Sequence, residues 1–170
     1  GVQASTCTAS GSYSTAMGDG TTASGDYSTS MGRSTAASAL YSTAMGRSTA
    51  ASALYSTAMG YGTDASGYFS TAMGSSTTAS ALYSTAMGDG TIASGSRSTA
   101  MGSYTTASDY ASLSIGRYNS VNSTVTAGGS AASFDTDNAA FVIGNGTGSS
   151  TKSDAFVVYF NGNATLSGDL

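Results

Sequence analysis

Apolar side chains recur along this chain singly, at fixed steps, and not in runs. Methionine stands at Met17, Met31, Met45, Met59, Met73, Met87 and Met101, and Ile115 takes the next place in the series. An aromatic series, Tyr13, Tyr27, Tyr41, Tyr55, Phe69 and Tyr83, keeps the same step. Both belong to one phrase, YSTAMG in its commonest form, whose serine stands at Ser14, Ser28, Ser42, Ser56, Ser70, Ser84, Ser98 and Ser112. The step is 14 residues throughout, with no insertion. Small and polar residues hold columns of their own: Gly18 to Gly116, Thr21 to Thr105 and Ala23 to Ala107. A strict period of this kind marks a stacked repeat, in which each unit buries itself against its neighbours.

A shorter period is nested in the first. Ser14, Ala16 and Gly18 are answered seven residues later by Thr21, Ala23 and Gly25. Each half-unit has room for one strand of about four or five residues and a tight turn. Gly, Ser, Thr and Tyr at every turn would make a very weak helix. The pattern therefore predicts an all-β fold, a parallel β-roll solenoid with two strands per 14-residue coil. Eight coils stacked on the sheet spacing would form a rod of roughly 38 Å.

Strand alternation sorts the columns by face. Ser14, Ala16 and Gly18 share one face with Thr21, Ala23 and Gly25; Tyr13, Thr15 and Met17 take the other, as do Thr22 and Ser24. The columns common to both halves are small, so they are assigned to the inside of a thin roll; the alternative is the reverse, with the methionine stripe inside and the small residues facing out. Cys7 falls in the threonine column and is read as a buried small residue, not a reactive thiol. The methionines and Ile115, with the aromatic column beside them, then form an outward apolar stripe that should not face water. Burying each such side chain stabilises by about 1.5–3 kcal/mol. The stripe is predicted to pack against other copies of the chain, supplying the core that a thin roll lacks.

Composition narrows the function. The chain has 170 residues, 23 Gly, no Pro, Trp or His, and 8% charged residues, with a net charge of −4. Its bases, Arg33, Arg47, Arg97, Arg117 and Lys152, form no cluster, which argues against nucleic acid. No apolar run approaches a membrane span, and no signal peptide is visible, although the opening GVQASTC lies inside a repeat. Without His, the usual catalytic triads and most zinc sites are absent. The acids are all Asp, at scattered positions such as Asp19, Asp26, Asp64, Asp89 and Asp109, which suit turns and pair no two carboxylates for glycoside cleavage. No Asp column fits a calcium-binding solenoid. GNGTG at Gly144–Gly148 lacks the helix and lysine of a phosphate loop. The sequons at Asn122, Asn145 and Asn163 follow from Ser/Thr richness. No catalytic residue, cofactor or metal is expected.

The S-x-A-M-G word with its nested half-period resembles the head domain of YadA-like trimeric autotransporter adhesins. The resemblance covers roughly residues 4–120, with Thr15 and Met17 where that family usually carries Val and Ile; SLSIG at Ser112–Gly116 comes nearer. It implies a left-handed parallel β-roll and a homotrimer packed side by side about a threefold axis. Similar rolls occur in bacteriophage tail fibres.

From Phe134 the repeat is no longer read. Ala139–Ile143 and Ala155–Phe160 are predicted strands, and the NGN at Asn161–Asn163 a hairpin turn into Ala164–Leu166. This stretch resembles the segment that often precedes an endosialidase-type chaperone in phage and bacterial fibres. The expected organisation is a β-roll over residues 1–117, a transition over 118–133 and a β-rich segment over 134–170. The leading functional expectation is an extracellular, non-enzymatic trimeric fibre or adhesin segment. A host receptor or glycan would meet the variable turn positions, from Asp19, Arg33, Arg47, Tyr61, Ser75 and Asp89 to Ser12, Asp26, Leu40, Leu54, Tyr68 and Leu82. Two alternatives are an ice-binding solenoid, against which the irregular column Thr22, Ala36, Ala50, Asp64, Thr78 and Ile92 counts, and a tailspike-type polysaccharide depolymerase.

Overall fold

A computed structural model describes residues 6–167; residues 1–5 and 168–170, and with them the opening GVQAS and the final GDL, lie outside the described part. The chain winds as a parallel β-solenoid with two sheets. Eight five-residue strands, from Thr15–Asp19 to Leu113–Arg117, stack in chain order on one side. Eight two-residue strands, from Thr8–Ala9 to Thr106–Ala107, stack on the other. Every residue pairs with its counterpart one coil away, as Met59 with Met73 and Ala65 with Ala79. The second half-coil thus forms a shorter strand than expected, because turn residues on both sides occupy the rest of its length.

The core is a ladder of alanine. Ala44, Ala58, Ala72, Ala86 and Ala100 of the long strands meet Ala37, Ala51, Ala65, Ala79, Ala93 and Ala107 of the short ones, all fully buried. The Ser28 and Thr21 columns are buried beside them, which bears out the small-inside assignment. Several buried hydroxyls, including those of Thr49, Thr63, Thr77 and Thr91, find no hydrogen-bond partner among the described residues. One coil carries Ser30 in place of alanine, and its hydroxyl pairs with that of Thr35 at 2.6 Å. Threonine fills its column chiefly as a small branched shape.

One column and one residue depart from the sequence reading. Gly18 and its repeats were expected inside but are exposed, at φ of 120–127° along most of the column. The backbone turns out of the roll there, and coils approach so closely that a Cβ on Gly74 would stand 2.0 Å from the carbonyl oxygen of Gly88. Only glycine fits such a position. Cys7 was expected to be buried and is exposed. It keeps its column, and its thiol donates to the Gly18 carbonyl at 2.8 Å, but the first described coil has a neighbour on one side only.

The turn before each long strand has two forms. With alanine at its head, the N–H of Ala39, Ala53 or Ala81 donates to the serine hydroxyl three residues on, and that hydroxyl donates back to the same alanine's carbonyl. With glycine, the N–H of Gly25 or Gly67 reaches the next coil instead, to Ala37 or Ala79. A Cβ on Gly25 would lie 2.0 Å from the Ala39 carbonyl oxygen, so residue identity selects the form.

Beyond Arg117 the two sheets part company. The long sheet continues: Ala139–Asn145 pairs in parallel with Leu113–Arg117, and Asp154–Tyr159 and Ala164–Leu166 add antiparallel strands, as the sequence predicted for this region. The short sheet ends in side chains. In a regular coil the N–H of Ile92 donates to the Thr105 carbonyl; at the last coil the N–H of Thr106 donates to Asn119 Oδ1 at 2.7 Å, and Asn119 Nδ2 donates back to the Thr106 carbonyl. Asn122 Oδ1 accepts from the N–H groups of Ser108 and Asp109. The fully buried Asp109 carboxylate accepts from the N–H and hydroxyl of Thr126 and from the N–H of Ala139. These amides and the carboxylate replace the coil that would otherwise follow, and so satisfy the edge of the short sheet at this end.

Two stability changes follow from this packing. Replacing Thr63 with Val removes an unpartnered buried hydroxyl and should stabilise by about 1 kcal/mol, whereas Thr35→Val strands the Ser30 hydroxyl and should destabilise by a similar amount. Denaturant midpoints of the two variants check the contrast. Asp109→Ala leaves buried donors unpaired and should cost about 3 kcal/mol or more. Hydrogen exchange should then show the amides of Thr126 and Ala139 losing protection while those around Met59 keep theirs.

Candidate functional site: the outward face of the long sheet

The long strands alternate strictly. Ala58 points in, and Thr57 and Met59 on either side of it point out, half-buried by their own columns. Parallel in-register pairing then sets Met17, Met31, Met45, Met59, Met73, Met87, Met101 and Ile115 in one line along the rod. Met17, paired on one side among the described residues, is 58% exposed. A line of threonine, Thr15 to Thr99, runs beside it and gives way to Leu113.

The C-terminal strands extend the same face. Ile115 pairs with Ile143, Ile143 with Phe156 and Phe156 with Leu166; Leu113 pairs with Phe141, Phe141 with Val158 and Val158 with Ala164. The rings of Phe141 and Phe156 meet edge to face at 6.3 Å. The sequence carried a sign of this that was missed. FVIG at Phe141–Gly144 stands two full periods after LSIG at Leu113–Gly116, with Val142 in the alanine column and fully buried. It is a ninth copy of the word, displaced by the cap.

At the edge of this face stands an aromatic ladder. Tyr13, Tyr27, Tyr41, Tyr55, Phe69 and Tyr83 stack at centroid separations of 4.9–5.0 Å and interplanar angles of 6–18°. Each residue holds φ of 53–57°, a left-handed conformation that strains a bulky residue. Stacking, worth about 0.5–1.5 kcal/mol per pair, offsets that strain. The guanidinium of Arg97 closes the ladder, 5.5 Å from the Tyr83 ring centroid, and donates to the Tyr110 hydroxyl. A second, shorter stack joins Tyr104 and Tyr118 at 4.8 Å.

Several carboxylates serve local structure. Asp19 pairs with Arg33 at 3.7 Å on the surface, Asp26 accepts from the Ser12 N–H, and Asp154 accepts from the N–H groups of Ser120 and Val121. Among the described residues, no three His, Cys, Asp or Glu side chains gather as metal ligands. On the opposite, short sheet the column Thr22, Ala36, Ala50, Asp64, Thr78, Ile92 and Thr106 lies in register but is chemically mixed.

A stack of 14-residue coils with an alanine core and one apolar outer line defines a parallel β-roll. The family model described as YadA head domain repeat (2 copies) matches residues 9–35, 37–63, 65–91 and 93–119, more than half of the chain, and the chain belongs to this family. No curated relative matches it.

Proposed function

We propose that this chain is a segment of a non-enzymatic, homotrimeric extracellular fibre, in which three rolls pack through their methionine faces. The observation that carries this reading is the unbroken outward line from Met17 through Met101, Ile115, Ile143 and Phe156 to Leu166. A continuous apolar line along a rod whose repeat interior is chiefly alanine, serine and threonine is the face most in need of cover. Covering each of its larger side chains stabilises by about 1.5–3 kcal/mol before ordering costs. The flanking threonines keep the face narrow and let neighbouring backbones come close. The variable exposed positions Asp19, Arg33, Arg47, Tyr61 and Asp89 remain at the margin, where a receptor or glycan on a host surface would be met.

Sedimentation equilibrium should return three times the 16.6 kDa chain mass. The double variant Met59→Asp with Met73→Asp should sediment as a single chain while keeping its β-sheet circular dichroism; a trimer that survives the change overturns the reading. Dilute peroxide gives an independent check. In the assembled protein Met59 and Met73 should resist conversion to sulfoxide, and in the dissociated variant Met45 and Met87 should oxidise readily.

A further inference from the structure

We propose that the tyrosine ladder is a site of oxidative cross-linking, at which a one-electron oxidant of the haem-peroxidase class, fed by hydrogen peroxide, joins tyrosines of neighbouring coils as dityrosine. The pairs assigned are Tyr13–Tyr27, Tyr27–Tyr41, Tyr41–Tyr55 and Tyr104–Tyr118, whose rings stack at 4.8–5.0 Å and within 17° of parallel. Their faces cover one another, and their edges stay open: Tyr27, Tyr41, Tyr55 and Tyr104 are 43–49% exposed. The chain has no Trp to drain a radical from them.

The chemistry balances within this geometry. Each phenol gives up one electron and its hydroxyl proton. Two phenoxyl radicals on adjacent rungs form one carbon–carbon bond between their Cε atoms, ortho to oxygen. The hydrogen on each of those carbons moves to its own oxygen, restoring two phenols. One peroxide takes up the two electrons and two protons and leaves as two waters. The rungs are fixed one coil apart by the backbone, so coupling is intramolecular and needs only a tilt of exposed rings. Each rung would tie one coil to the next by a bond that unwinding cannot break.

Three of the remaining tyrosines provide internal controls. Tyr83 stands between Phe69 and Arg97, while Tyr61 lies beneath Arg47 and Tyr110 beside Arg97, none of them with a stacked tyrosine. The test treats the full chain, carrying Cys7→Ser to remove its one thiol, with peroxidase and limiting peroxide. Products are read by dityrosine fluorescence and by mass spectrometry of cross-linked peptides, each lighter by two hydrogen atoms per rung. The expected links are the four assigned pairs, within one chain and in unchanged yield on dilution. Tyr41→Phe should leave only Tyr13–Tyr27 and Tyr104–Tyr118, and Phe69→Tyr should carry links on to Tyr83. Absence of dityrosine, links found only between chains, or links at Tyr83 in the parent as abundant as those at Tyr41 would each overturn the assignment. The sedimentation mass is measured separately, so none of these outcomes bears on the trimer.

Discussion

Each coil of this roll satisfies its backbone by hydrogen bonds to the coil above and the coil below, and that single ladder constrains everything else. Within a strand it forbids insertions, since one extra residue would turn the side chains that follow in that strand to the opposite face. It also makes each residue its own nearest neighbour, coil after coil. In the columns that repeat without change, a side chain must therefore pack well against a copy of itself at one strand spacing. Alanine does so inside, methionine and tyrosine do so outside, and charge does so nowhere. The 8% charged content reflects this exclusion. Arg33 and Arg47 stand directly in register, and each turns away from the other, Arg33 to Asp19 and Arg47 to the ring of Tyr61.

The same ladder explains the glycine column. Where the long strand leaves the roll, coils approach until one backbone nearly touches the next, and a methyl group on Gly74 would collide with a main-chain oxygen. Strain of another kind gathers at the aromatic column, whose left-handed backbone is uncommon for tyrosine, and stacking along the rod compensates it. Fold and outer face are thus one design: the residue that tolerates the turn in one coil is stabilised by meeting itself in the next.

The period, the small interior and the outward methionines could be read from Ser14 to Ile115 because repetition averages over single-residue noise. The C-terminal strands could be read from their apolar runs. Gly18 was misplaced because parity assumes an extended strand; the glycine in every copy was the one mark of a positive φ within STAMG. Cys7 was misplaced because column membership tells which way a side chain points, not whether a neighbouring coil covers it. The extension of the apolar face through Ile143 and Phe156 escaped notice because the ninth word is separated from the eighth by a segment with no period. The Asn119 and Asn122 cap was opaque for a deeper reason. A side-chain amide stands in for a peptide group there, and no local pattern announces such a substitution.

That cap gives the molecule a property of a different order. Asn119, Asn122 and Asp109 engage only the last coil and the segment beyond it. Every earlier coil pairs with its neighbour in the same register. Loss or duplication of one 14-residue unit by slippage during replication would shift the distance between the two ends by a single step of about 4.8 Å, leaving the terminus, the interior and the outer face in phase. The length of such a rod is a count, and it can evolve in whole numbers without passing through a misfolded intermediate.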